Sequence, residues 1–455
     1  MSRNRIVFAA AVAVGALMMA PATRGQSAGN VTLFEGARLI AGDGTSPIAD
    51  SAFVVDGDRF VSIGRRNEVT LPRGASRVDL TGKTVMPALV ELHAHLGYWK
   101  GLTNVVENFT RENMIDHLER FAYHGIAAVV SLGTDRRELA YQWRDEFRAT
   151  PPPDTARYFT AGQGISAPDA GPGVPMRPAV YEITTEAEGR RAIQELAAKK
   201  VDRWVKIWAD AARGKLPWPV YRAVIDEAHK RDLKVLAHVQ DLADVKELLR
   251  LGLDGFAHSV WRDDVDDELV AMLKERPHVF SLTTFWASRN QMYGARPEWL
   301  SEPLLNETFS PEVVARLENP KTPPDAPQQW ANGALPKNLM RLKTAGLRIG
   351  LGGDVGGISG RGYFGWSSHM EMAALVKAGF TPAEAIAVAT RNSAELFGLD
   401  DLGTVAARKS ADFIVLDGNP LDDIANTRKI ARVYLRGREI DRARLRAKWG
   451  RHETR

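Results

Sequence analysis

Between residue 84 and about residue 398 the sequence keeps one rhythm: a short apolar run, then a stretch of helical period, eight times over. The runs fall at 84–92, 127–132, 157–160, 203–208, 234–238, 255–259, 279–283 and 347–351. Amphipathic stretches at 186–199, 221–231, 243–251 and 382–397 supply several of the helices. Strands alternating with helices form parallel sheets, because each return path needs a crossover long enough for a helix. Eight of them predict an α/β fold, a closed (β/α)8 TIM-like barrel rather than an open doubly wound sheet. No Gly-rich dinucleotide fingerprint accompanies the first run, which further disfavours the open sheet.

The two flanks have another texture. Short β-type runs at 52–55, 59–63 and 77–80, with a turn at Asp56-Gly57-Asp58, are matched at the far end by runs at 411–416 and 430–435. They predict a small β-sandwich built from both chain ends, 29–83 with 401–445, around a barrel at 84–400. Residues 1–28 read as a signal peptide: Arg3 and Arg5 precede an apolar run from 6 to 20, and Ala20, Ala22 and Ala28 follow. A periplasmic or secreted protein is expected, an uncleaved anchor being the alternative; no later stretch would hold it in a membrane. Losing Arg3, Arg5 and Arg24 with that leader lowers the formal charge from +4 to about +1, which is no argument for a nucleic-acid partner. The Arg-rich tail at 442–455 is expected to be a solvated helical end. Self-association is left open. One connection, 284–336, is rich in Trp, Pro and Asn and too long for an ordinary loop; it is a candidate lid over the barrel mouth, or a surface excursion.

Polar residues recur at the ends of the apolar runs. His93 and His95 close the first, spaced so that both imidazoles share a face of a strand. Lys206 lies within the fourth, His238 ends the fifth, His258 ends the sixth and Asp354 follows the eighth. In a barrel these ends ring one mouth. Each residue alone has a plain reading, as a hydrogen-bonded rim histidine or, for Asp354, a helix cap; together four imidazoles and a carboxylate suit zinc or a similar cation. The chain has no cysteine, so neither a disulfide nor a thiolate ligand is available. Burial would lower the pKa of Lys206, and a neutral amine can add carbon dioxide to become a carbamate, an anionic bridge between two cations. The alternative is a lysine that pairs with a carboxylate or extends to solvent.

These residues sit among longer motifs: Gly82-Lys83-Thr84-Val85-Met86-Pro87 before the His pair, Thr381-Pro382-Ala383-Glu384-Ala385-Ile386 with Ala389-Thr390, and Lys409-Ser410-Ala411-Asp412-Phe413-Ile414-Val415-Leu416-Asp417. In them the chain resembles the amidohydrolase superfamily. Val205-Lys206-Ile207 with two later histidines is similar to its branch of Xaa-Pro and Xaa-Arg dipeptidases and imidazolonepropionase-like enzymes. The resemblance implies two divalent ions, with Zn2+ expected: His93, His95 and Asp354 on one, His238 and His258 on the other, and carboxylated Lys206 between. Ala88 and Glu91 depart from the usual glycine and aspartate, at positions that are not ligands.

The implied chemistry is hydrolysis of an amide or peptide-like bond in a small substrate, such as a dipeptide or N-acyl amino acid. Two cations sharing a water would present hydroxide to a carbonyl, and Asp354 would carry the proton to the leaving amine. The alternatives are a one-metal deaminase or cyclic amidase, an ester, carbamate or lactone hydrolase on the same site, and a metal-binding protein without turnover. Trp99, Trp261, Phe285, Trp286, Tyr363 and Trp366 are candidates for an aromatic pocket, with packing as the other reading. Arg262, Arg361 and His369 could hold a substrate carboxylate.

Overall fold

The computed structural model of the chain describes residues 31–210, 214–285, 298–318, 334–356 and 363–450. Eight parallel strands build the barrel: Leu89–Ala94, Ile126–Ser131, Arg157–Thr160, Trp204–Trp208, Lys234–His238, Gly255–Phe256, Phe280–Leu282 and Arg348–Gly350. A short strand, Gly164–Ser166, continues the third and pairs with the fourth at Ile165 and Ile207. The ring closes through the eighth strand's extension, where Leu92 N–H donates to the Leu351 carbonyl at 3.0 Å and His95 N–H to that of Val355 at 2.7 Å.

Sequence explains the layers. Val205, Ile207, Val235 and Ala237 are buried against helices Glu186–Ala198 and Trp218–His229 outside the ring, while Lys206 and Trp208 take the opposite face. The first of these helices starts on a capping box, Thr185 with Glu188; Thr381 with Glu384 does the same for Pro382–Ala387. The helical period at 382–397 is interrupted by a π turn at Val388–Asn392, in which the Ser393 hydroxyl donates to the Val388 carbonyl.

The run at 84–92, expected as one strand, is two. Thr84–Pro87 pairs antiparallel with Phe413–Leu416, and only Leu89–Ala94 belongs to the barrel. Pro87 has no N–H to continue a ladder, so the chain changes sheet there. The five-stranded sheet so formed, ordered Arg38–Leu39, Thr84–Pro87, Phe413–Leu416, Ile430–Leu435, Arg438–Glu439, draws on both ends of the sequence. It packs on a four-stranded sheet of Arg59–Arg65, Ser51–Asp56, Val31–Glu35 and Ser76–Asp79 through an aromatic core. Phe413 stacks on Tyr434 at 4.5 Å and Phe34 on Phe53 at 5.0 Å.

The Arg-rich tail departs from expectation. Helix Arg442–Gly450 is docked on helix Arg111–Tyr123: Leu445 and Trp449 are buried, the Trp449 indole donates to Asp116 at 2.9 Å, and Lys448 pairs with Asp116 at 2.8 Å. Its charges answer acidic residues of the barrel rather than water alone. Residues 1–28 lie outside the described residues, as do 286–297 and 319–333 of the expected lid. Among the described residues no helix is long and apolar enough to cross a membrane.

Candidate metal centre

The strand register sets the site. Lys206 lies opposite Leu236 and Trp208 opposite His238, so Lys206 enters the ring one step below His238 on the neighbouring strand. His258 lies two residues past Phe256, which pairs with Ala237. On the far side, Val355 bridges Ala94 and so carries Asp354 alongside the His93–His95 pair. Asp354 has the left-handed backbone φ of +48°, which Asp tolerates, and aims its carboxylate at both imidazoles. One carboxylate oxygen is 3.3 Å from His93 Nε2 and 3.2 Å from His95 Nε2. Ligand atoms of His93, His95 and Asp354 all lie within 4.8 Å of one another.

The ring nitrogens are already sorted. His93 Nδ1 donates to the Ala257 carbonyl at 3.1 Å, and a carbonyl can only accept, so Nε2 is left as a lone pair facing Asp354 and Lys206. His95 Nδ1 meets the Thr134 hydroxyl at 2.9 Å, and His258 Nδ1 meets that of Thr284 at 3.0 Å. His238 turns Nε2 towards Asp210 at 3.5 Å, an electrostatic contact longer than a closed hydrogen bond. Its Nδ1 faces His258 Nε2 at 2.8 Å. Two lone pairs that close repel unless a proton or a cation lies between them. This is the tautomer pattern of metal-ligating histidines, whose second nitrogen is held by an outer partner.

Burial drives the electrostatics. His93 and His258 are pushed well below the usual imidazole range, first by desolvation and then by neighbouring cationic groups. His238 is lowered for the same first reason. His93, His238 and His258 therefore favour the neutral, ligating form. Asp354 is held well below the usual carboxylate range: burial opposes ionisation, and His93, His95 and His258 outweigh it. Lys206, 1% exposed, is lowered to about 7 by desolvation, against the pull of Asp354. Its Nζ is 3.4 Å from His93 Nε2 and 5.4 Å from the Trp208 ring. Gly133, at φ +84°, makes room for it: a Cβ there would lie 2.5 Å from the Lys206 Cβ.

The six residues singled out in the sequence thus form one chain of contacts at one mouth. The substrate candidates do not all join them. His369 is buried in the helix layer, donating from Nε2 to the His124 carbonyl at 2.8 Å. Arg262 is held by two carboxylates, Asp241 at 3.0 Å and Asp210 at 3.3 Å, and lies over the Trp261 ring at 5.2 Å. Tyr363 packs with Phe309, Trp299 and Trp366 in a buried aromatic group. Trp99 opens a small hairpin, and its carbonyl accepts from His117. Phe285 is buried, its N–H donating to Glu371 at 2.9 Å. Arg361 and Trp286 lie outside the described residues.

Several residues of the site were not foreseen. Asp210, between His238 and Arg262, had a signal: Lys206, Trp208 and Asp210 follow the strand period on one face. Thr134 and Thr284 had none, threonine being common after strands. Glu91 proves to be a brace, accepting from His93 N–H at 2.9 Å, Gly353 N–H at 2.7 Å and the Ser368 hydroxyl at 2.8 Å. It ties the His pair to the turn that carries Asp354, and burial pushes its carboxyl up to about 7.

Comparison with known proteins follows the same lines. The sequence profile described as the amidohydrolase family matches residues 84–440. An imidazolonepropionase of Deinococcus radiodurans is 41% identical over 63 residues, 13% of this chain and 16% of that protein, so the match spans about a sixth of the relative's length. A structure from Bifidobacterium longum, described only as a candidate prolidase, aligns over 92% of this chain and 99% of its own at TM-score 0.70 and 25% identity. A Xaa-Pro dipeptidase with methionine in its active site aligns over 90% and 99% at TM-score 0.69 and 21% identity, a likeness of fold.

Proposed function

Since the chain belongs to the amidohydrolase family, we propose that it cleaves an amide or peptide-like C–N bond of a small substrate at a pair of divalent cations. Its class is that of metal-dependent hydrolases acting on carbon–nitrogen bonds. The observation that carries the two-cation reading is the convergence of two separate donor sets, His93, His95 and Asp354 on one side and His238 with His258 on the other, with Lys206 3.4 Å from His93 and within electrostatic reach of His238 and His258. A carbamate on Lys206 would supply the anionic bridge between them, and zinc suits the imidazole-rich set. Divalent ions held there would polarise the scissile carbonyl and lower the pKa of a nearby water.

The chain's own groups supply the rest. Asp354, ionised and in contact with two imidazoles, is placed to accept a proton from the attacking water and return it to the leaving amine. Asp210 orients His238 through its Nε2, and Arg262 with Asp241 fixes Asp210. Glu91 holds Asp354 and His93 at a set distance across the seam between the first and eighth strands. Dipeptides and N-acyl amino acids are the substrate class proposed. The leader at residues 1–28 would place the enzyme in the periplasm or outside the cell, which N-terminal sequencing of the mature protein would check.

The test is a panel of dipeptides, N-acyl amino acids and aryl esters, run with added zinc and with chelator. Chelator-sensitive turnover of the first two groups is expected. Turnover indifferent to chelator would remove the proposal. A one-metal deaminase or cyclic amidase draws support from the self-sufficient His93, His95 and Asp354 group; metal content of one ion per chain would favour it.

A further inference from the structure

At the opposite end of the barrel, between the strand N-termini and the β-sandwich, lies a cavity of about 650 Å³. Phe147, Tyr158, Phe159 and Leu399 give it an apolar wall, and four arginines face it. Three have carboxylate partners: Arg157 bridges both oxygens of Asp412 at 2.8 and 3.0 Å, Arg59 pairs with Asp401 at 2.8 Å, and Arg148 pairs with Asp202. Arg436 differs. Its Nη2 donates to the Thr155 carbonyl at 2.8 Å, and among the described residues it forms no ion pair with a carboxylate.

A tight turn fixes where Arg436 leaves the β-sandwich. Arg436 and Gly437 form the two-residue loop of a hairpin in which Leu435 pairs with Arg438, and both have positive φ, +52° and +71°. Such a loop requires positive φ at both positions and favours Asn-Gly, Asp-Gly or Gly-Gly, so arginine takes it at some cost. Burial first, and then the neighbouring Arg157, work against this guanidinium's charge, while Asp412 and Asp154 favour it from a distance.

We propose that this cavity binds a small, singly charged organic anion with a flat apolar body, its carboxylate on Arg436 and its body against Phe159 and Leu399. The planar guanidinium can present paired donors to two oxygens. Asp58, Asp400 and Asp401 on the same lining disfavour a doubly charged phosphate. The volume is that of an ordinary small-molecule site. The site is separate from the mouth and does not depend on the chemistry assigned there.

Isothermal titration calorimetry of the metal-loaded full chain with phenylacetate, phenylphosphate, acetate and phenethylamine tests this. Phenylacetate is expected to bind at one site per chain, more tightly than the other three. Arg436→Gln should weaken it roughly tenfold or more, the loss of a charge-assisted pair. Leu399→Trp should block it by filling the cavity while leaving the guanidinium in place, and it decides the matter if Arg436→Gln fails to fold. No saturable heat with phenylacetate, or binding unchanged in Leu399→Trp, overturns the site. Tighter binding of phenylphosphate overturns the assignment to a singly charged anion.

Discussion

Two groups of buried histidines can be set side by side. His93, His95, His238 and His258 ring the barrel mouth, and His117, His124 and His369 sit in the layer around helix Arg111–Tyr123. Burial lowers the pKa of His93, His238 and His258 at the mouth and of all three in the helix layer, with His117 and His369 at about 4 and His124 at about 3. Desolvation therefore does not tell a ligand from a packing residue. The second nitrogen does. His117 accepts from Gly97 N–H at 3.1 Å and donates to the Trp99 carbonyl at 2.8 Å, so nothing is left over. His124 and His369 each donate to a carbonyl, Arg120 and His124 respectively, and among the described residues their other nitrogens meet no hydrogen-bond partner. At the mouth, the outward nitrogens are tied and the inward ones converge.

The sharpest way to break this contrast is at Asp354. Asp354→Asn should lower kcat by about 10²–10⁴-fold, the range for a lost proton-transfer group, while metal content falls far less. Parallel loss of both would reduce Asp354 to a ligand. Next comes Lys206→Ala, which should abolish turnover and cost one of the two ions; a short carboxylate such as propionate should restore part of the rate if a carbamate is the bridge. Absence of any rescue, with both ions retained, would return Lys206 to a structural role. Smaller still, Thr284→Val and Asp210→Asn should each weaken metal affinity by roughly 10–100-fold, as outer partners do, measured by competition with a chromophoric chelator. His369→Gln should change neither rate nor metal.

The helix-layer group makes its own prediction, in acid. These imidazoles are neutral in the fold and protonate only near pH 3 to 4, whereas in the unfolded chain they protonate near 6.5. Between those values the unfolded state binds more protons, so stability falls as pH falls. Each histidine contributes up to about 1.4 kcal/mol per pH unit over that window. Denaturant midpoints from pH 7 to 4.5 would show the slope, and His369→Gln should make it shallower.

Much of this was legible beforehand because it rests on period. Eight apolar runs and their helices specify a barrel regardless of loop detail, and strand ends at one mouth bring His93, Lys206, His238, His258 and Asp354 together across distant positions. Chain-end pairing was readable only as texture; the pairing of Thr84–Pro87 with Phe413–Leu416 depends on long-range register that no local pattern carries. Pro87 marked the break in the first run, although a run of strand formers across it obscured the change of sheet. The tail misled because its arginines outnumber its acids, and their partners Asp116, Glu119 and Asp154 are hundreds of residues away. Arg262 and His369 show the limit at the site: a cation or an imidazole near a strand end says nothing of which neighbour claims it first.

Metal stoichiometry by plasma mass spectrometry, on the full-length protein with and without bicarbonate and alongside Lys206→Ala, bears most directly on the two facing donor sets. Two divalent ions per chain are expected with bicarbonate, falling towards one in the variant. A single ion per chain in every sample, or two ions that persist when Lys206 is removed, would contradict the bridged pair.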